Sequence, residues 1–175
     1  MKHFNTKSIV FSLLFLLVSI TVNAQVQYQP KVEVGYMNYR SRTLLVNPGP
    51  NWRGYYLNEN QNGMDVSVIN GFSIQEKYFV GVGLGYLNFE GINGYSIYAD
   101  ADYIPMKTKL APLVNFKVGY NHIYNQYEGG TGSALGELGV GLRYRMAKQR
   151  QLYIQTGFLG TQQANFNTCR LGVQF

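Results

Sequence analysis

Apolar and polar residues alternate with a period of two in eight separate segments of this chain. The segments span residues 32–36, 65–74, 78–86, 95–103, 112–121, 137–146, 152–158 and 168–175. Alternation of this kind predicts β-strands with one apolar face, and no stretch of useful length shows the helical period of 3.6 residues. Most segments contain about ten residues, the length that a tilted strand needs to cross a bilayer.

The connections between the segments also alternate. Short charged turns occupy residues 75–77, 107–109 and 147–150. Between them lie the connections 41–62, 90–94, 125–133 and 161–165, three of which are longer than the turns. An even strand count with short turns at one end and longer loops at the other is typical of a transmembrane β-barrel. We therefore expect an all-β, eight-stranded, antiparallel up-and-down transmembrane β-barrel with both termini at the short-turn end.

Alternation alone does not determine which face points inward. A soluble barrel of the lipocalin or avidin type would enclose the apolar face, whereas an outer-membrane barrel turns it toward lipid. The polar face is rich in glycine, which weakens a solvated strand but leaves room inside a narrow barrel. On the apolar face, Tyr78 and Tyr86 flank one strand and Tyr95 and Tyr103 flank the next, as aromatic girdles at two membrane interfaces would. The outer-membrane orientation is the one that these features favour.

The last six residues, Arg170-Leu171-Gly172-Val173-Gln174-Phe175, place a terminal aromatic after two apolar residues at alternate positions. This run resembles the closing strand of Gram-negative outer-membrane barrels, and the whole segment pattern resembles the family of small eight-stranded outer-membrane β-barrel domains. The resemblance implies that Leu171, Val173 and Phe175 form an assembly signal read by the barrel-assembly machinery. Gly172 departs from the family pattern, whose signal prefers a glycine farther upstream.

The N-terminus has the three-part layout of a secretory signal peptide. Residues 1–7 are short and basic, and residues 9–22 are largely apolar. Small residues follow at Val22 and Ala24, the −3 and −1 positions of a cut before Gln25. We expect a cleaved leader over residues 1–24 and a barrel domain over residues 25–175, exported to the cell outer membrane. An uncleaved membrane anchor is the alternative.

Composition and charge narrow the choice of function. Charged residues make up only 14% of the chain, against roughly 25% in typical soluble domains. The net charge of +6 includes Lys2 and Lys7 of the leader, so the mature chain carries +4. Its basic residues form no run, and nucleic acid is not an expected partner. The single Cys169 excludes an intramolecular disulfide and any multi-cysteine zinc site.

Charges of both signs occupy the polar face. If that face lines the lumen, they must pair, because an isolated buried charge is too costly. We expect a lumen charge network that plugs the barrel, with Asp100 and Asp102 as partners of the arginines; a proton or ion path is the alternative. Its members are Glu33, Asp65, Asp100, Asp102, Lys117, Glu137, Arg143, Arg145 and Arg170.

Enzymatic chemistry has little support in the sequence. Lipid A deacylases with eight strands carry histidine and serine two apart on one strand, but the residue two after His122 is Tyr124. Metal-ligand spacing is absent, and neither a cofactor nor catalytic residues are expected. Cys169 falls on the apolar face and is expected to face lipid.

The long connection 41–62 is the best candidate for a specific function. A partner surface is expected at its arginines and aromatic residues, namely Arg42, Trp52, Arg53, Tyr55 and Tyr56, which suit a protein or the phosphates of lipopolysaccharide. The alternative is two strands that extend above the membrane with aromatic residues at the interface.

The sequence thus predicts a monomeric, non-enzymatic outer-membrane barrel with a structural, adhesive or ligand-binding role. A secreted or periplasmic soluble barrel for a small hydrophobic ligand is the second interpretation, and an outer-membrane lipid-modifying enzyme is the third.

Overall fold

A computed structural model describes residues 26–42, 62–124, 131–146, 150–162 and 164–175. These ranges contain nine β-strands: β1 (Val26–Tyr28), β2 (Lys31–Arg42), β3 (Gly63–Ile74), β4 (Tyr78–Phe89), β5 (Ile92–Tyr103), β6 (Leu110–Ile123), β7 (Thr131–Arg145), β8 (Gln151–Thr161) and β9 (Ala164–Gln174). Strands β2 to β9 have 11 to 15 residues each. Most strands are therefore longer than the alternation predicts, because pairing continues past the point where the residue pattern fades.

The sheet closes on itself as an antiparallel barrel. Each strand from β3 to β9 pairs with its neighbour in sequence, and β2 pairs with both β3 and β9. The short β1 also pairs with β3 and is separated from β2 only by Gln29 and Pro30, so β1 and β2 act as one interrupted strand. Pro30 has no N–H for the ladder, which explains the interruption. The predicted eight-stranded up-and-down β-barrel is confirmed.

Burial shows which face points inward. Val82 and Leu84 of β4 are 55% and 62% exposed on the outside, whereas Glu33 and Asp100 are 1% exposed inside. Charged side chains inside and aliphatic side chains outside fit a barrel whose outer solvent is lipid. A soluble barrel that encloses an apolar pocket requires the reverse, so the second interpretation of the sequence is not favoured.

Two girdles of exposed tyrosines border the outer apolar band. Tyr78 and Tyr103 stack at 5.3 Å near the short-turn end. At the other end, Tyr86 and Tyr95 are exposed register partners. The eight residue steps from Tyr78 to Tyr86 correspond to a band about 20 Å tall for a strand rise of about 3.3 Å and a tilt of about 40°. No helix in the described ranges is long and apolar enough to cross a membrane.

We call the end that carries Val26 and Phe175 the turn end, and the opposite end the loop end. The prediction of a loop at 90–94 is wrong, because β4 and β5 are joined by Glu90 and Gly91 alone. Both residues have positive φ, 52° and 97°, which is the conformation of the tight turns that suit the twist of a hairpin. Register pairing brings the following residues, Asn93 and Gly94, into β5.

Inward-facing glycines make room for inward-facing tyrosines. The ring of Tyr98 lies over its register partner Gly83, where an added Cβ would meet the ring at 2.4 Å. Tyr153 covers Gly172 in the same way, at 2.2 Å. Large rings fit this narrow interior only where the neighbouring strand has no side chain.

Candidate functional site: the charged lumen

Arg170 on β9 is the centre of the lumen. Its Nε and Nη2 donate to the two carboxylate oxygens of Glu137 at 2.7 and 2.8 Å, and its Nη1 donates to both oxygens of Asp65 at 2.7 and 2.6 Å. Nη1 also approaches Glu33 at 3.2 Å. The planar guanidinium presents its donors in a fixed fork, so a single side chain bridges acids from β2, β3 and β7. The strands are thereby tied together through the interior as well as along their edges.

Lys117 and Tyr153 complete the coordination of Glu33. The Lys117 ammonium forms an ion pair with Glu33 Oε1, and the Tyr153 hydroxyl donates to Oε2 at 2.9 Å. All three side chains are buried. A buried carboxylate is tolerated when its oxygens receive charged and neutral donors in this way.

A second charged cluster lies around Lys31. Its ammonium pairs with Asp100 Oδ2 at 2.7 Å and with Asp102 Oδ2, while Asn115 Nδ2 donates to the other oxygen of each aspartate at 2.6 and 2.7 Å. Lys31 Nζ also lies 3.7 Å from the centroid of the Phe79 ring. The expectation that arginines pair with these two aspartates is therefore wrong. Lys31 has the same strand parity as Glu33, a signal that could have identified it in the sequence.

Two predicted members of the network have other roles. Arg143 is buried, but its Nη1 reaches only Gln151 Oε1 at 3.0 Å and the Glu76 carbonyl at 3.4 Å. Among the described residues no carboxylate lies within 4.0 Å of it, contrary to the expected pairing. Arg145 lies at the rim of the turn end, where its Nη2 is 2.9 Å from Glu76 Oε2 and the two side chains are 26% and 45% exposed. Because β7 ends at the mouth of the barrel, its last inward-facing residue, Arg145, is in contact with solvent.

The loop end of the lumen is apolar, which the sequence interpretation missed. A buried cluster there includes Met37, Leu87, Phe89, Ile123, Leu135, Leu159 and Phe166. Each has the parity of the inner face, so the position was readable, but the polar character of the mid-strand residues was extended to the whole face. The cavity between this cluster and Arg170 leaves about 20 Å³ for the centre of a water molecule, room for about one or two waters.

The terminal strand lies where the sequence predicts. Leu171 and Val173 point outward on β9, and Phe175 follows β9 at the turn end with 47% of its surface exposed. The Phe175 N–H donates to the Pro30 carbonyl at 3.0 Å, which fastens the chain end to the interruption in the first strand. These positions are compatible with an assembly signal and do not test it.

Other candidate residues are less well placed for chemistry. His122 faces outward among tyrosine rings, 5.4 Å from Tyr95 and 4.9 Å from Tyr124. Ser133 faces the lumen and donates to Asn121 Oδ1 at 2.6 Å, so it lies on the opposite face from His122. Cys169 is exposed on the outer face.

Much of the predicted partner surface lies outside the described residues. This applies to Trp52, Arg53, Tyr55 and Tyr56. Arg42 is the last residue of β2, and its side chain is also outside the described part.

Comparison with solved structures places the barrel among known folds. The chain is similar to the crystal structure of Neisserial surface protein A, with a TM-score of 0.61, 14% sequence identity, and coverage of 85% of this chain and 97% of that one. It is also similar to the N-terminal beta-barrel domain of Pseudomonas aeruginosa OprF, with a TM-score of 0.56, 15% identity, and coverage of 86% and 100%. No protein-family model matches the chain, and no curated protein matches it in sequence. At this level of identity the similarity shows a shared barrel fold.

Proposed function

We propose that the chain is a non-enzymatic outer-membrane β-barrel that presents its loop end for a structural, adhesive or ligand-binding role. The observation that carries the proposal is the inverted burial, with Arg170 and its acids inside and an aliphatic band outside. This arrangement is stable only where the outer surface meets lipid. The barrel then anchors the connections that extend beyond the bilayer.

The filled lumen supports binding in preference to transport. Charged clusters occupy the middle of the interior, the apolar cluster occupies the loop end, and Glu76 reaches Arg145 across the turn end. Eight strands enclose only enough space for side chains, whereas aqueous pores are built from larger barrels. A plugged barrel acts through the surfaces that it presents.

We propose residues 41–62 as the partner surface, with Arg42, Trp52, Arg53, Tyr55 and Tyr56 as its contact residues. Arginines next to aromatic residues suit either a protein or lipopolysaccharide phosphates, because the guanidinium binds phosphate and carboxylate with paired hydrogen bonds. Export through a cleaved leader and insertion by the barrel-assembly machinery complete the proposal.

The absence of catalysis is part of the proposal. His122 is separated from Ser133 by the thickness of the barrel wall, because they point to opposite faces. A nucleophile and its base must lie within hydrogen-bond reach, which this placement does not offer. Release of fatty acid from outer-membrane lipid by the purified, folded barrel would contradict this part.

Cell fractionation tests the location, and surface labelling tests the loop. We expect the protein in the outer-membrane fraction, extractable only with detergent, and cleaved by added protease on intact cells within residues 43–61. Crosslinking of intact cells with the parent protein and with the Arg42→Gln/Arg53→Gln variant then tests the partner surface. Recovery in the soluble periplasm would overturn the location, and equal crosslinking of both proteins would overturn the surface.

A further inference from the structure

The positive charge of the barrel is concentrated at the turn end. Among the described residues, five basic side chains lie there against a single acidic side chain, that of Glu76: Lys77, Lys107, Lys109, Arg145 and Arg150. The buried lumen, in contrast, holds four cations and five carboxylates. At the loop end, the described residues offer Arg40 against Glu90. The basic residues look scattered in the sequence, and the hairpin topology brings them together.

Backbone hydrogen bonds join the three turn-end connections into one arc. The Ile104 N–H donates to the Lys77 carbonyl at 2.7 Å, which links the β3–β4 turn to the β5–β6 connection. The Arg145 N–H donates to the Lys109 carbonyl at 2.8 Å, which links that connection to the end of β7. The next residue, Met146, donates its N–H to the Arg150 carbonyl at 2.9 Å, which adds the β7–β8 connection. The cations are thus mounted on a continuous, hydrogen-bonded rim.

Most of these cations have no acid to neutralise them. Within the described residues, no carboxylate lies within 4.0 Å of Lys77, Lys107, Lys109 or Arg150; Arg145 alone has one, Glu76. Unpaired like charges on one rim repel each other, so their grouping is unfavourable unless an anion is present. The arc is therefore suited to a negatively charged partner.

The arc borders the surface that faces lipid. Lys109 Nζ lies 5.2 Å from the centroid of the outward-facing Tyr144 ring. Lys77 directly precedes Tyr78, whose ring stacks on Tyr103 in the turn-end girdle. Tyrosine girdles lie at the level of the lipid headgroups, and lysine stems extend along such a surface to bring the ammonium to that level. Headgroup phosphates are the anions that come within reach of these ammonium groups.

We propose that this basic arc, formed by Lys77, Lys107, Lys109 and Arg150, binds the phosphate groups of anionic phospholipids in the leaflet at the turn end. With the loop end exposed outside the cell, as proposed above, the turn end faces the periplasm, and this leaflet is the periplasmic one. The inference rests on the membrane-spanning fold and is independent of the role proposed for the loop end. It gives the barrel a lipid preference at the end opposite its proposed partner surface.

Native mass spectrometry of the detergent-purified, folded barrel tests this with phosphatidylglycerol and phosphatidylcholine of identical acyl chains. We expect tighter binding of phosphatidylglycerol, and weaker preference as salt is raised. The Lys77→Gln/Lys107→Gln/Lys109→Gln variant should lose about fivefold in phosphatidylglycerol affinity for each cation that contacts phosphate. Its affinity for phosphatidylcholine should be unchanged. The matched Lys77→Arg/Lys107→Arg/Lys109→Arg variant keeps the charge and should keep the preference.

The outcomes separate this proposal from its rivals. Equal affinity of the parent barrel for the two lipids overturns it and leaves the arc to an acidic protein. An equal loss in the glutamine and arginine variants also overturns it, because the charge would then not be the cause. Displacement of the lipid by inorganic phosphate at constant ionic strength would mean that free phosphate is the ligand. A gel-shift assay that compares unheated and heated samples verifies that each variant is folded. Cell fractionation tests the proposed outer-membrane location separately from lipid binding.

Discussion

Lys31 on β2 and Asp100 on β5 are 69 residues apart in the chain, yet their side chains meet inside the barrel at 2.7 Å. Asp102 contacts the same ammonium, so two carboxylates on one strand face share a single lysine. Without Lys31 these two carboxylates would face each other in a dry interior. Such an arrangement is among the most costly in a folded protein.

Lys31→Met should therefore destabilise the folded barrel strongly, by about 3–5 kcal/mol, because it leaves buried charge uncompensated. Adding Asp102→Asn removes one of the two carboxylates that have lost their lysine partner, and it should restore part of the lost unfolding free energy. Reversible urea unfolding in lipid vesicles measures both values, and a double-mutant cycle should give a coupling of about 0.5–3 kcal/mol. Additive effects of the two substitutions would show that Lys31 and Asp102 do not interact.

Arg170 and Arg145 offer a comparison of a buried and a rim ion pair. Arg170→Met leaves Glu33, Asp65 and Glu137 with fewer donors and should cost about 3–5 kcal/mol of unfolding free energy. Arg145→Gln breaks only the half-exposed pair with Glu76 and should cost about 0–1 kcal/mol. The same urea unfolding experiment measures the unfolding free energy of both variants. If the unfolding free energy falls as little for Arg170→Met as for Arg145→Gln, the central network does not hold the barrel together.

The filled lumen predicts the electrical behaviour of the barrel. The cavity between the apolar cluster and Arg170 has room for about one or two waters, too little for a continuous aqueous path at this level of the barrel. Purified barrel in a planar bilayer should show no steady conductance of the size found for 16-stranded porins. A large, stable channel with the parent protein would contradict the plug interpretation.

Phe175 should matter more for insertion than for stability. Phe175→Asp removes the terminal aromatic residue that the assembly machinery is expected to read, and it adds a charge whose cost near the interface is only about 0–1 kcal/mol. We expect slow insertion and periplasmic degradation, seen as loss of the folded band on a gel of unheated outer membranes. The matched control is Leu152→Asp, because Leu152 pairs with Val173 and lies outside the terminal strand. If the control is lost to the same extent, the charge is responsible and the terminal residue carries no signal.

The turn between β3 and β4 carries backbone strain. The Lys77 N–H bonds to the Ile74 carbonyl at 3.1 Å, while Gln75 and Glu76 have φ of 55° and 59°. A side chain in this left-handed region is unfavourable, so Gln75→Gly should raise the unfolding free energy by about 0.5–1 kcal/mol. The reverse change is Gly91→Ala, at φ 97° with nothing within 4 Å of the new Cβ, which should lower it by about 1 kcal/mol. Opposite shifts in the urea midpoint are expected, and shifts of the same sign would refute the strain argument.

The alternating segments were sufficient for the barrel itself. Strand parity is a local property, so Val82 and Gly83 could be assigned to opposite faces before any pairing was known. The connection predicted at 90–94 was too long, because two residues, Glu90 and Gly91, are enough for the turn when both adopt positive φ. The apolar cluster at the loop end had the correct parity but was not recognised. Composition varies along the inner face, and the alternation reports only which face a residue is on.

The sequence by itself determined which residues face inward, because each side chain on a strand points opposite to its neighbour in the chain. Only the tertiary structure decided which inward charges meet. Closure of β2 onto β9, with the stagger that a closed barrel requires, brings Lys31 to Asp100 and Asp102. It also aims Arg170 at three acids on separate strands and leaves Arg145 at the rim. The same closure gathers the lysines of separate turns into one basic arc. Such pairings depend on how strands far apart in sequence are offset around the barrel axis, and the period-two pattern of a single strand contains no information about that offset.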